Sequence, residues 1–123
     1  MHDDRRALGA EGEARAAAHL AQRGYRILSR NVRFDGVEID LIAARPGLVV
    51  FVEVKARRSR ARGLPEEAVD ARKQARLVRA AAAWLHAHPA FWARVRFDVI
   101  ACEFEPDGSV RLRHLEGAFD AGG

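Results

Sequence analysis

Cysteine and lysine are the scarce residues of this chain, and each scarcity excludes something. A single cysteine, Cys102, among 123 residues leaves no internal disulfide to form, so the expected compartment is a reducing cytoplasm. No apolar run approaches the ~20 residues of a membrane helix. The opening MHDDRRALGA carries charge where a signal peptide would carry an apolar stretch. There is no internal repeat, P-loop, Rossmann glycine pattern or Ser-His-Asp order, which sets aside nucleotide-fold and triad-hydrolase chemistry. His86 and His88 lie two apart near a helix end and read as surface, while His19 and His114 have no evident partner. Trp84, Trp92 and Cys102 read as core. With 49% apolar and 31% charged residues, the chain reads as one soluble domain over residues 1–123, its ordered core at about 9–116 and its tail, GAFDAGG, frayed.

Only two lysines, Lys55 and Lys73, stand against nineteen arginines. Arginine and lysine differ in shape, hydration and ease of pKa shift, so the two retained lysines point to sites that need a compact charge. The net charge of +4 is unevenly spread: Lys55 to Arg79 holds nine basic residues and three acids, whereas Ile100 onward holds two arginines and five acids. A basic middle is the footprint of a polyanion-binding face. A solvated helix face beside a basic loop would give the same pattern.

Periodicity and punctuation place a helix over Glu11 to Arg23, closed by Gly24. A strand follows over Tyr25 to Phe34, then an Asp35-Gly36 turn. Two apolar strands, Val37–Ala43 and Leu48–Ala56, flank Pro46-Gly47, and Arg57 to Gly63 reads as a basic loop. A second helix is expected from about Glu66 to Ala87, with Pro65 in its first turn and Pro89 past its end. Arg94 to Phe104 and Ser109 to Leu115 complete the pattern around a Pro106-Asp107-Gly108 turn. The order α-β-β-β-α-β-β predicts an α/β fold, a mixed central sheet flanked by two helices.

The central hairpin carries charges where valine or isoleucine would be easier. If Arg45-Pro46-Gly47-Leu48 is a type II reversal, Asp40 falls opposite Glu53 and Glu38 opposite Lys55, with facing Cβ atoms about 5 Å apart. Two carboxylates so placed repel unless a cation lies between them or one takes a proton. Magnesium suits such a pair, because it takes oxygen ligands and keeps several waters. The Val54 carbonyl could add an oxygen, and Lys55 would stand beside the reacting water. An exposed sheet face with pairing charges is the plainer reading, but Val49 and Phe51 on the same face argue that it is covered.

The acid, the turn and the Glu-Val-Lys of Asp40, Glu53 and Lys55, with twelve residues between the acids, resemble the PD-(D/E)xK nuclease signature. GAEGEARAAAHLAQRGYRILSRNVR, EIDLIA, FVEVKAR, GLPEEAV with Lys73 following, and RFDVIA occur in the order seen in the YraN family of bacterial endonuclease-like proteins. The resemblance covers roughly residues 9 to 101 and extends more distantly to archaeal Holliday-junction resolvases. It implies a restriction-endonuclease-like fold. It also implies metal-binding acids at Asp40 and Glu53, a catalytic lysine at Lys55, a supporting helix glutamate at Glu13, and polar helix residues Lys73 and Gln74 near the site. Gly36 lies one residue earlier than in the family pattern, with Val37 intervening before Glu-Ile-Asp.

The expected function is therefore a Mg2+- or Mn2+-dependent endonuclease acting on DNA, branched or duplex, in repair or recombination, with RNA left open. Arg57, Arg58, Arg60 and Arg62 would hold phosphates without reading sequence. The alternatives are an inert nucleic-acid-binding module and a protein-interaction domain of the same fold. A homodimer enters through the resolvase likeness, with Val95, Phe97 and Val99 as either core or dimer surface; no membrane contact is expected.

Overall fold

The alanine-rich segment forms helix α1 over Asp4–Gln22, starting earlier than Glu11 because the residues ahead of it also favour helix. Its end is a Schellman closure. Gly24 takes φ +88°, its N–H bonds the Ala21 carbonyl at 3.1 Å, and the Tyr25 N–H bonds the Leu20 carbonyl at 3.0 Å. The computed structural model describes residues 4–59, 69–91 and 94–120. Strands β1 (Arg26–Phe34), β2 (Val37–Arg45) and β3 (Leu48–Arg58) follow, then helix α2 (Ala71–Ala87), a short 3-10 turn at Pro89–Phe91, and strands β4 (Arg94–Phe104) and β5 (Val110–Phe119). The expected α-β-β-β-α-β-β order is the observed one.

The five strands lie side by side in chain order. Only β3 and β4 run parallel; α2 is the connection that such a pair requires. Both tight turns follow from their residues. Asp35 and Gly36 take φ 53° and 75°, the left-handed pair of a type I′ hairpin. Gly47 takes φ 76° after Pro46, as the third position of a type II turn requires.

Further boundaries differ from the sequence expectation, among them β2, which runs to Arg45 rather than Ala43. Helix α2 begins at Ala71 rather than Glu66, because the Asp70 side chain accepts the Lys73 N–H at 2.9 Å and caps the helix there; Pro65 and Glu66 lie outside the described residues. Strand β3 takes Arg57 and Arg58 out of the expected basic loop, since β4 runs beside it and pairs Arg57 with Glu103 and Arg58 with Phe104. The returning strand β5 continues past Leu115 to Phe119, whose ring stacks on Phe97 at 5.1 Å. Arg60, Arg62 and Trp92 lie outside the described residues.

Each sheet face has its own core. Ala16, Ala17 and Leu20 of α1 pack on Leu41, Val50, Val52, Ile100 and Cys102. On the opposite face Ala80, Ala81 and Trp84 of α2 pack on Ile42, Val49, Phe51 and Phe97, with Trp84 edge-on to Phe51 at 5.7 Å. Phe97 and Val99 are core, while Val95 is 38% exposed. Among the described residues no helix is long and apolar enough to cross a membrane.

Candidate functional site

The hairpin keeps the expected register from Arg45–Leu48 up to Leu41–Val52, and there the ladder stops. Strand β2 stays with β1, pairing Arg33 with Glu38, but leaves β3, so neither the expected Asp40–Glu53 ladder pair nor the expected Glu38–Lys55 pair forms. Alternation also shifts at this point: Ile39 and Ile42 both join the α2 core, while Leu41 and Ala43 join the α1 core. Asp40 occupies the gap. Its Oδ2 accepts the Val54 N–H at 2.8 Å, so a carboxylate takes the place of a strand carbonyl. The next two positions of β3 on the α2 side are Glu53, 6% exposed, and half-buried Lys55.

A cleft of about 420 Å3 opens here between β2 and the start of α2. Val37, Glu38, Asp40 and Glu53 form its sheet wall, and Asp70, Arg72, Lys73 and Arg76 form its helix wall. The Asp70 cap starts α2 so that Lys73, in its first turn, meets Glu53: Nζ to Oε2 is 2.5 Å. Lys55 Nζ reaches the same oxygen at 3.5 Å. Two ammonium groups thus converge on one carboxylate.

The electrostatics follow from this crowding. Burial first, then the Glu53 charge, pushes the Asp40 carboxyl up to about 7, with Glu13 adding to the rise and the Val54 N–H and Lys73 opposing it. Burial, and then Lys73 beside it, holds the Lys55 ammonium below its ordinary range despite Glu53. For Lys73 burial also pulls down, but the hydrogen bond and charge of Glu53 outweigh it and leave the group above its ordinary range.

The expected residues therefore divide. Asp40, Glu53, Lys55, Lys73 and the Val54 main chain come together. Glu13, half-buried on α1, is close enough for its charge to act on Asp40. Among the described residues, however, no three acids, histidines or cysteines converge as a metal-binding group. Gln74 turns away, its Nε2 donating to the Val69 carbonyl at 3.0 Å. Arg57 is bound to Glu103 Oε2 through Nε at 3.2 Å and Nη2 at 2.9 Å. Arg58 is exposed at the end of β3, on the face of Val54 and Ala56 rather than that of Glu53.

Sequence reasoning missed Arg72 and Arg76, although their spacing from Lys73 on one amphipathic helix was available. It also missed Asp98, wholly buried on the opposite face. Asp98 accepts two bonds from Arg96 at 2.8 Å, one from the Gly117 N–H at 3.0 Å, and lies 2.7 Å from His114 Nε2. His114 Nδ1 in turn lies 3.1 Å from His19 Nε2, so the two histidines expected to lack partners partner each other.

Residues 12–102 match the model of a family described as uncharacterised protein family UPF0102. A UPF0102 protein of Anaeromyxobacter dehalogenans is 49% identical over 121 residues, covering 98% of this chain and 90% of that relative. One from Symbiobacterium thermophilum is 50% identical over 116 residues, covering 94% and 98%, and one from Rhodococcus opacus is 44% identical over 113 residues, covering 92% and 96%. The names of these relatives state no activity.

Proposed function

The chain belongs to the uncharacterised protein family UPF0102, the YraN family, and from its site we propose a divalent-metal-dependent endonuclease of the PD-(D/E)xK type with a restriction-endonuclease-like fold. The observation that carries this reading is the Asp40–Glu53 pair: a part-buried carboxyl pushed up to about 7 by desolvation and then by its neighbour's charge, with Lys55 beside Glu53 and basic residues facing the pair across a cleft. A carboxylate pair in this state gains from an added positive charge.

The donor chemistry fits magnesium or manganese. Among the described residues the possible ligands at the gap are carboxylate oxygens, beside two ammonium groups and with no thiol or imidazole, which suits hard cations rather than zinc. Two carboxylates, with the Val54 carbonyl as a third oxygen, leave positions for water, as magnesium prefers. When bound, the ion would lower the pKa of a water and neutralise charge on the phosphate. The chain's own residues would do the rest. Asp40 and Glu53 hold the ion, Glu13 adds negative charge, and Lys55 orients the attacking water and steadies developing phosphate charge. Lys73, which pairs with Glu53 in the structure, would serve a phosphate oxygen once an ion neutralised that carboxylate. We place this activity in the cytoplasm, on DNA intermediates of repair or recombination, with RNA and a homodimeric form as further parts of the proposal.

The lysines favour a second reading. If Lys73 and Lys55 serve as permanent counter-ions of Glu53, the same fold is an inert nucleic-acid-binding or protein-interaction module. Calorimetric titration of Mg2+ and Mn2+ into wild type and Asp40→Asn, followed by incubation with branched and linear DNA, decides between them. The nuclease reading expects metal binding and nicking that both vanish in the variant. Metal binding without cleavage of any substrate supports the inert module, and no metal binding even with DNA present overturns the mechanism.

A further inference from the structure

The two walls of the cleft are opposite in charge. Glu38, Asp40 and Glu53 line the sheet side, while Arg72, Lys73 and Arg76 line the helix side beyond the Asp70 cap. The basic groups are not equivalent. Lys73 is bound to Glu53, and Arg57, outside the cleft, is bound to Glu103. Arg79, further along α2, lies 3.9 Å from Asp35 and does not line the cleft. Arg72 and Arg76 are exposed, and among the described residues neither has an ion-pair partner. They stand one helical turn apart on one face, their Cα atoms about 6 Å apart along the axis.

We infer that α2 is the wall along which a nucleic-acid backbone enters the cleft, its successive phosphates held by Arg72 and Arg76; this rests on the nucleic-acid reading above and names the contacts that reading lacks. A guanidinium offers a phosphate two parallel donors, which an ammonium cannot. Two of them spaced along a helix suit a ligand bearing one charge per repeat more than a single small anion. The carboxylate floor repels a lone anion that would settle into the cleft, but a polymer can rest on the rim while one phosphate faces Asp40 and Glu53. Among the described residues the lining holds no aromatic ring, so these walls offer no platform for stacking bases. Recognition is of the backbone, independent of base sequence.

The test measures anisotropy of a short fluorescein-labelled DNA of mixed sequence, single-stranded and annealed. Calcium replaces magnesium to hold off cleavage, and salt is varied for wild type, Arg72→Gln/Arg76→Gln and Arg79→Gln. Both cleft positions are exposed helix sites where glutamine is nearly as good a helix former as arginine, and circular dichroism verifies folding. The slope of log affinity against log salt should fall by about 1 per cleft arginine, equally for unrelated sequences, and Arg79→Gln should leave it near the wild-type value. An unchanged slope in the double variant, or an equal drop for Arg79→Gln, overturns the inference while leaving the nuclease proposal standing. Displacement of the strand by poly-glutamate as readily as by unlabelled DNA also overturns it, in favour of an acidic protein partner. A wild type that binds neither form of DNA overturns the inference, and the same null result with branched DNA and with RNA overturns the proposed function with it.

Discussion

At Asp40 the chain holds a carboxyl group that is worse off ionised in the fold than in water. Burial and the Glu53 charge push it up to about 7, so the folded chain binds a proton that the unfolded chain has released. Between the ordinary carboxylate range and pH 7, then, stability falls as pH rises. Once Asp40 is ionised near pH 8, the full shift would correspond to about 4 kcal/mol, and partial solvent access reduces this to roughly 1–3 kcal/mol. Asparagine keeps the acceptor for the Val54 N–H and removes the charge. In chelator at about pH 8, Asp40→Asn should therefore melt above wild type, with the difference shrinking toward pH 5 as wild type takes up its proton. Magnesium should raise the wild-type melting temperature and leave the variant unmoved. A variant less stable than wild type at high pH would show that the carboxylate is stabilising and the pair is not strained. This residue was legible in the sequence because a charge in an apolar strand is conspicuous. Its bond to Val54 was not, since ladder registers do not foretell where two strands part.

Helix α1 is tied to the sheet at Gly12. A Cβ built there would lie 2.7 Å from the Ala56 Cβ, and the Gly12 carbonyl receives the buried Cys102 thiol at 3.7 Å. In an isolated helix Gly12→Ala would gain up to about 1 kcal/mol. Here overpacking against β3 costs about 1–3 kcal/mol, so the variant should be net destabilised by roughly 1–2 kcal/mol, read as a lower denaturation midpoint. Ala56→Gly placed beside it should restore most of the loss, a coupling expected only of residues in contact. A Gly12→Ala variant as stable as wild type would mean the helix can lift off the sheet at no cost. The Gly12-Glu13 pair drew attention in the sequence for its acid, whereas the glycine's reason is a tertiary contact that periodicity does not carry. The hairpin register near the turn was legible for the opposite reason: a two-residue turn at Pro46-Gly47 fixes the pairs from Arg45–Leu48 to Leu41–Val52, where the strands part. The start of α2 and the end of β3 were misjudged together. The Asp70 cap that opens α2 at Ala71 has no periodic signature, and Arg57-Arg58 look like a loop until the parallel neighbour β4 pairs with them.

Across the whole molecule Asp40 and the network around Asp98 respond to pH in opposite senses. Asp98 joins Arg96 and His114, Arg96 donates to the Tyr25 hydroxyl at 2.6 Å, and His114 meets His19, so β4, β5, α1 and the approach to β1 share one network. His19 and His114 lie 95 positions apart, too far for any spacing rule to couple them. Burial would raise Asp98, but the His114, Arg96 and Gly117 bonds outweigh it and hold the carboxyl below its ordinary range; its contribution to stability is lost only as pH falls through that lowered value. Burial, then Arg23 and His114, holds the His19 imidazole below 6.5. The unfolded chain therefore takes up the His19 proton first, and stability falls as pH drops from about 6.5 toward the lowered folded value. With His19 neutral, its Nδ1 can accept from Arg23 while its Nε2 donates toward His114; a proton on Nδ1 sets two donors head to head with Arg23. Asp40 works against this, gaining stability over the same acidification. Between about pH 7 and 5 the two slopes oppose, so wild type in chelator should change less than either group alone would make it. Asp40→Asn, stripped of the gain, should lose stability steadily over that range, and Asp40→Asn/His19→Gln should be nearly flat until the carboxylates titrate. Denaturant midpoints at a series of pH values separate these curves, and a flat profile for Asp40→Asn alone would mean that protonating His19 costs the fold nothing.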